Sequence, residues 1–523
     1  LKLLRRMSAS RTFKLCIVII LQILSVFFIV GSLVSKETVL FNVVKIPGSM
    51  IYNIVLIIDI CLAASVFAKN DLNPVYKMTW IIILAAVPVI GTLIYLLWGD
   101  RKIARRKALE ISNADEKSKR ALCEFEQQVD ASALSGGEKA SARYLQKFAG
   151  APVFKNTYAE YFPWGEAFFE ALLKELEKAE KFIFIEYFIV KNGYMWDKVY
   201  EILVRKARAG VDVRFVYDAL GSLFDVSEDF WVEMRKSGIK CYKFNPIRFS
   251  WKLTDYTFLN HRDHRKICVI DGNIGFTGGI NISDEYINRV ERFGKWKDTA
   301  VMLKGDAVYS LTTTFLKMWE YVSREEVDDY RKYAPNFKYD ADCYVQPYDD
   351  SPLDFENVSE NSYFNVIYHA RKYVYITTPY LVIDNEMITA LSLAAKSGVD
   401  VKIITPGIPD KKYVYYLTQS YYAELIRAGV KIYEYSPGFM HAKMFIRDDE
   451  QAIVGSANMD YRSLYLHFEN CCSFYGGQVV KDVKEDFDII LSESRRITED
   501  DLAAVPRKKK LLQLLLKFFA PVM

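Results

Sequence analysis

Residues 264–286 read HRKICVIDGNIGFTGGINISDEY, and the same pattern returns 177 positions later in residues 441–464, HAKMFIRDDEQAIVGSANMDYRSL. Both follow His-x-Lys-x4-Asp-x6-Gly-[Gly/Ser]-x-Asn. The first copy holds His264, Lys266, Asp271, Gly278, Gly279 and Asn281; the second holds His441, Lys443, Asp448, Gly455, Ser456 and Asn458. The chain has only five histidines, so one such match by chance has odds on the order of 10⁻⁵. One copy alone would read as a surface lysine beside a partly buried histidine. Two copies in one register point to matched phosphate-handling half-sites.

A His and a Lys two positions apart share one face of a strand. The residues that follow, Ile267-Cys268-Val269-Ile270 and Met444-Phe445-Ile446, are strand formers. Asp271-Gly272-Asn273-Ile274 reads as a two-residue hairpin loop. A turn centred on Gly272-Asn273 sets His264 opposite Asn281 and Lys266 opposite Gly279. The same centre in the second copy falls on Asp449-Glu450, poor chemistry for a tight primed turn, so a different or looser loop is expected there. Lysine offers a point charge and donors to phosphoryl oxygens, Asn adds amide donors, and Gly or Ser lets backbone approach. Neutral His can attack phosphorus, and charged His can protonate a leaving alkoxide. Asp271 and Asp448 belong to the catalytic motif but flank the turns, and read as structural.

On these stretches the chain resembles the phospholipase D superfamily, and within it the bacterial cardiolipin synthases. Further support comes from NPVYKMTWIIILAAVPVIGTLIYLLWG (73–99), FIEYFIV (184–190) and TTPYLVID (377–384). The resemblance implies a phosphatidyltransferase that moves a phosphatidyl group from one phosphatidylglycerol to another, releasing glycerol, through a phosphohistidine. It implies His264 as nucleophile and His441 as general acid, later base. Lys266, Lys443, Asn281 and Asn458 would hold the phosphoryl oxygens, with Gly279 and Ser456 beside them. Each His needs an acid on its other ring nitrogen: Glu469 in Phe468-Glu-Asn is expected for His441, and Asp298 in Trp296-Lys-Asp for His264. A phospholipase D-type hydrolase making phosphatidic acid would share all of these residues. No cofactor is expected and no metal, because no cluster shows metal-ligand spacing and lysines fill the charge-neutralising role.

Beyond residue 150 the chain repeats itself. Lys181-Phe-Ile-Phe-Ile matches Lys372-Tyr-Val-Tyr-Ile, Gly210-Val-Asp-Val-Arg matches Gly398-Val-Asp-Val-Lys, and Ser237-Gly-Ile-Lys-Cys-Tyr matches Ala428-Gly-Val-Lys-Ile-Tyr. Helices, such as 196–208 and 386–397, alternate with apolar strands. The expected fold is α/β: two tandem phospholipase D-like α/β sandwich halves, 136–335 and 336–500, related by a pseudo-two-fold. A transmembrane region (1–100), a cytoplasmic helical linker (101–135) and a basic, apolar tail (501–523) complete the chain. Pro246 precedes His264 by 18 residues, but Pro437 precedes His441 by 4. The extra residues form an apolar insert, 247–260, suited either to acyl chains or to a packed surface loop.

Residues 15–34 and 78–97 are apolar enough to span a bilayer; residues 51–68 are weaker, with Asn53 and Asp59 inside. The basic cluster from Arg101 to Lys107 places the catalytic halves on the cytoplasmic side of a multi-pass bacterial cell-membrane protein. The equally basic amino terminus agrees with two spans and not with three. The tail, Arg507-Lys-Lys-Lys before Leu511, reads as an interfacial anchor for anionic lipid or as a helix docked on the protein itself. Net charge is only +4, so no polybasic field argues for nucleic acid. The partners expected are phosphatidylglycerol and anionic membrane lipid, with a homo-oligomer left open. Eight scattered cysteines, none in a C-x-x-C pair, suit a reducing compartment, and vicinal Cys471-Cys472 reads as two buried thiols.

Overall fold

Strands in this chain are recognisable because they are apolar on both faces. Phe182–Tyr187, Lys266–Ile270 and Met444–Arg447 are buried at every position, as strands covered on both sides must be. A computed structural model describes residues 48–69, 72–87, 90–99, 105–246, 260–354 and 356–522. The anchor read at 15–34 and nearly all of the insert after Pro246 lie outside the described residues. The chain forms two compact units, Leu1–Arg101 and Lys102–Met523.

In the second unit, β1 is Thr157–Phe162, β2 Phe182–Tyr187, β3 Asp212–Asp218, β4 Lys240–Phe244, β5 Lys266–Ile270, β6 Ile274–Gly278 and β7 Ala300–Gly305. They form a sheet ordered β1-β7-β6-β5-β2-β3-β4. Then follow β8 Tyr344–Asp350, β9 Tyr373–Thr377, β10 Asp400–Pro406, β11 Lys431–Tyr435, β12 Met444–Arg447, β13 Gln451–Gly455 and β14 His467–Tyr475. Their order is β8-β14-β13-β12-β9-β10-β11, the same path with every number raised by seven. The internal repeat is therefore a repeat of topology. In each half three strands run parallel (β2-β3-β4 and β9-β10-β11) and the motif hairpins join antiparallel.

The parallel strands need crossovers, and helices supply them. Helix Tyr194–Arg208 buries Met195, Trp196, Val199, Ile202 and Leu203, one stripe at helical spacing. Helix Asn385–Lys396 does the same in the second half with Met387, Ile388, Leu391 and Ala394. Between the sheets one core joins both halves, with Phe184, Val269, Leu303 and Trp319 from one and Val345, Ile446, Val454 and Phe474 from the other. Residues 101–135, expected to be a linker, contribute to it. Helix Arg105–Cys123 buries Ile111, Ala121 and Leu122 in this core. Its Asp115 pairs with Lys317 at 2.6 Å and its Lys117 with Glu320 at 2.9 Å.

The motif hairpins correct the expected turns. β5 and β6 pair Ile270 with Ile274 and Ile267 with Thr277, so the loop has three residues, 271–273, rather than two. The register therefore moves by one residue from that expected. β12 and β13 pair Arg447 with Gln451, leaving the three-residue loop 448–450. The two loops thus have equal length instead of differing. Positive φ falls at Asp271 and Gly272 in one and at Asp448 and Asp449 in the other. The cause is the aspartate itself. Asp271 accepts backbone N–H bonds from Glu180, Lys181 and Phe182 at 2.7–2.8 Å, and Asp448 accepts them from Arg371, Lys372 and Tyr373. Each carboxylate ties the hairpin tip to the start of the neighbouring strand, which outweighs the cost of left-handed backbone at a non-glycine residue. Tyr373 adds a bond from its hydroxyl to Asp449 at 2.8 Å.

In the first unit, helix Gly48–Ala68 packs on helix Pro74–Ala86. Asn73 caps the latter and Pro74 opens it. The run read as one span at 78–97 is divided. The helix stops at Ala86, just before the Val87-Pro88 step that disfavours helix, and resumes at Ile90–Ile94. Among the described residues no helix is long and apolar enough to cross a membrane. Asp59 is buried and accepts a hydrogen bond from the Thr92 hydroxyl.

Candidate active site

Two short parallel pairings hold the halves together, and each sets one histidine. Lys295–Lys297 pairs with Gly438–Met440, matching Lys297 to Met440. Arg262 and Asp263 pair with His467 and Phe468 at the start of β14. One step further along each pairing, Asp298 comes beside His441 and Glu469 beside His264. Backbone bonds extend the register: His264 N–H donates to Phe468 O at 2.9 Å, and His441 N–H to Lys297 O at 2.7 Å. Asp218, at the end of β3, fixes the first of these segments. It accepts from Asp263 N–H at 3.0 Å and pairs with Arg262 at 3.3 Å.

The acids are consequently exchanged relative to the expected assignment. Glu469 lies 2.9 Å from Nδ1 of His264, and Asp298 lies 2.6 Å from Nδ1 of His441. Each acid leaves the strand beside its own motif but reaches the histidine of the other half. Both carboxylates are fully buried. Glu469 also accepts from the hydroxyls of Ser456 and Ser463; Asp298 also accepts from Thr299 N–H at 2.8 Å. The Gly-or-Ser position of the motif follows from this. A Cβ at Gly279 would stand 2.2 Å from Asp298 Oδ1, whereas Ser456 uses its side chain to hold Glu469. Both small residues thus serve the acids.

Burial pushes the His264 ring well below its ordinary 6.5, with Lys266, Lys443 and His441 adding to the effect. Burial and Lys443 hold His441 down at about 4, against the opposing pull of Asp298. Near neutral pH both rings are neutral. With Nδ1–H given to a carboxylate, Nε2 keeps its lone pair. Burial also lowers Lys266 to about 7 and Lys443 to about 8. Lys266 donates to His264 O and Lys443 to His441 O, the same contact in each half. Lys443 Nζ also lies 2.9 Å from His441 Nδ1; because that nitrogen gives its proton to Asp298, the contact is one of proximity. Two bases, two marginal ammonium groups and two buried carboxylates thus share one electrostatic site.

Other predicted residues serve the frame. Asn281 accepts from Ile189 N–H at 3.0 Å and donates to the Tyr286 hydroxyl at 2.7 Å. Asn458 lies buried on the β13 side, and its N–H donates to Ser463 Oγ at 3.1 Å. Residues outside the motif complete the walls. Tyr286 and Trp296 have ring centres 5.3 and 5.4 Å from His441, and Phe188 lies 4.8 Å from His264. Ser463 lies five residues past the second motif and reaches Glu469 within its own half, whereas His467 meets His264 only when β14 pairs with the other half. His467, held at about 3 mainly by burial, joins His264 and Glu469 in a group whose ligand atoms lie within 4.8 Å of one another. The expectation that no cluster offers metal-ligand spacing is thereby corrected by folding. The donors fit a divalent cation poorly, since the lysine charges that depress His264 would repel it and Glu469 is already engaged by two hydroxyls. Cys471 and Cys472 are buried.

The family model described as "Cardiolipin synthase, PLD-like domain" matches residues 172–319 and 363–491, and the "Phospholipase_D-nuclease N-terminal" model matches 51–99. The chain is 46% identical over 472 residues to an uncharacterized protein of Streptococcus mutans, covering 87% of this chain and 98% of that one. It is 34% identical over 484 residues to a cardiolipin synthase of Geobacillus sp. (strain WCH70), covering 92% and 95%. Among solved structures, phosphatidylserine synthase of Haemophilus influenzae shares the fold, with a TM-score of 0.55 and 17% identity over 73% of this chain and 97% of that one. With two motif hairpins joined into one buried site and such relatives along most of its length, the chain belongs to the cardiolipin synthase family of phospholipase D-type phosphatidyltransferases.

Proposed function

We propose that the protein transfers a phosphatidyl group from one phosphatidylglycerol to a hydroxyl of a second, releasing glycerol and forming cardiolipin through a phosphohistidine. The observation that carries this reading is the pair of neutral histidines, each bound through Nδ1 to a buried acid, beside two lysines. A phosphodiester entering between Lys266 and Lys443 has its charge neutralised. His441 takes up a proton from solvent on Nε2 as the phosphodiester anion binds; His264 Nε2 then forms a bond to phosphorus while the P–O bond to glycerol breaks, and His441 gives that proton to the leaving alkoxide. In the second step His441 takes the proton of the incoming hydroxyl as its oxygen displaces His264 from phosphorus.

Two features support this assignment of roles. Burial and the two lysines keep His264 in the neutral form that can attack phosphorus. His441 has the shorter carboxylate bond, so its charged form is the better stabilised, and an arriving anion favours that form further. The geometry serves water as well as an alcohol; the outcome depends on which acceptor is positioned and which is excluded. We read the amino-terminal apolar runs as membrane anchors in a bacterial cell membrane, with the catalytic halves on the cytoplasmic side, where a second lipid's hydroxyl has a high effective concentration. Purified protein in phosphatidylglycerol bilayers should yield mainly cardiolipin and glycerol, and excess glycerol should drive the reaction backwards. Chiefly phosphatidic acid would assign the protein to the hydrolases.

A further inference from the structure

Helix Arg507–Phe519 turns Lys509, Gln513 and Lys517 inward, with Leu516 the one leucine of the helix packed on the core. It runs alongside helix Lys412–Arg427 in the same direction. Lys509 Nζ lies 4.8 Å from the Tyr416 ring centre, and Lys517 Nζ lies 4.6 Å from that of Tyr421 and 3.4 Å from Glu424. Gln513, between them on the same face, is only 8% exposed. The opposite face is Leu511, Leu512, Leu514, Leu515 and Phe519, with Leu511 60% and Leu514 66% exposed. A helix docked in water turns its apolar stripe to the protein; here that stripe faces out as a continuous patch.

The first turn holds Arg507, Lys508, Lys509 and Lys510 and no acidic residue. Cations at the positive end of a helix dipole are unfavourable in water. Anionic lipid headgroups beside them relieve that strain while acyl chains cover the leucines. A second copy of the helix carries no acidic residue to offer these cations in either orientation. We propose that this helix lies in the plane of an anionic membrane surface and seats the catalytic unit on it, independently of the proposed reaction and of any amino-terminal anchor.

Its position links it to the site. Helix Lys412–Arg427 follows Asp410, which accepts from the Tyr380 hydroxyl at 2.7 Å and bears on Lys443. At the other end, Ala520–Val522 packs on helix Tyr461–Tyr465, whose Ser463 bonds Glu469 at 2.6 Å.

The test uses the full chain in vesicles whose lipids carry bromine in their acyl chains, with the parent chain as baseline. Leu515→Trp should be quenched by about half or more in vesicles containing phosphatidylglycerol, as a helix seated at the acyl boundary requires. Arg507→Glu, Lys508→Glu and Lys510→Glu together should abolish that quenching while turnover in detergent micelles stays at the parent level, showing an intact fold. No bromine quenching of Leu515→Trp would overturn the proposal. Equal quenching in phosphatidylcholine alone would overturn its anionic character. A disulfide-linked dimer from Leu515→Cys in vesicles would replace the lipid by a second copy.

Discussion

At the scale of single residues, the site depends on two histidines kept neutral by burial and aimed by acids. Either His→Ala change should lower turnover by about 10³-fold or more, and acid-quench trapping should place the phosphoryl group on His264; label recovered on His441 would exchange the two roles. The exchanged acids make a sharper prediction. Glu469→Gln should slow formation of the covalent intermediate from any phosphodiester, whereas Asp298→Asn should slow it for phosphatidylglycerol but much less for a substrate whose leaving phenolate needs no proton from His441. Rapid-quench kinetics with the two leaving groups separate these roles, and equal effects of both variants on both substrates would argue against distinct roles. The lysines set the alkaline limb. With Lys266 near 7 and Lys443 near 8, their charges are present below those values and lost as pH rises through them. Thus kcat/KM for phosphatidylglycerol should fall across that window. Lys443→Arg keeps its charge throughout, so the falling limb should retain only the Lys266 ionisation near 7 and become shallower above about 8. A profile flat to about pH 9 in the parent would rule out lysine control.

At the scale of elements, the hairpins show how much spacing reveals. The period-two His-x-Lys pattern was enough to find the strands of the motif, but only Lys266 lies within one, while His264, His441 and Lys443 stand in the residues just before β5 and β12; the repeat was enough to align the halves. Loop length escaped it, because Asp271 and Asp448 work through bonds to residues about ninety and seventy-five positions earlier. Asp448→Ala should therefore cost about 2–4 kcal/mol in chemical unfolding, three buried or half-buried N–H groups losing a charged acceptor. Turnover per folded molecule should change little. Gly279→Ala makes the opposite prediction. Its Cβ collides with Asp298, so activity should drop about 10²-fold through a misaimed His441 while the unfolding midpoint moves only slightly. A variant that keeps full activity would show that Asp298 has room to shift.

At the scale of the whole unit, one core under two sheets buries the histidines, and this has a cost in acid. His441 at about 4 and His467 at about 3 bind protons above those values only in the unfolded chain, where the ordinary value is 6.5. Stability is complete above about pH 6.5 and falls as pH drops towards the folded values, by about 3 kcal/mol for His441 alone. Denaturant midpoints measured from pH 7 to pH 4 should decline accordingly. Replacing His467 by Gln should flatten the decline; an unchanged slope would place the loss in other groups.

The sequence by itself determined the two half-sites, the strands that follow each His-x-Lys, the repeated α/β order and the family. All of these rest on local spacing, which survives without knowledge of the fold. It also supplied both acids but assigned them to the wrong partners. Only the tertiary structure decided that Asp298 serves His441 and Glu469 serves His264, because the strand beside each motif crosses to pair with the segment ahead of the other half's histidine. Burial likewise belongs to the fold: it keeps the rings neutral and the lysines near their titration points, because the desolvation that shifts them arises only when the two sheets close over one site.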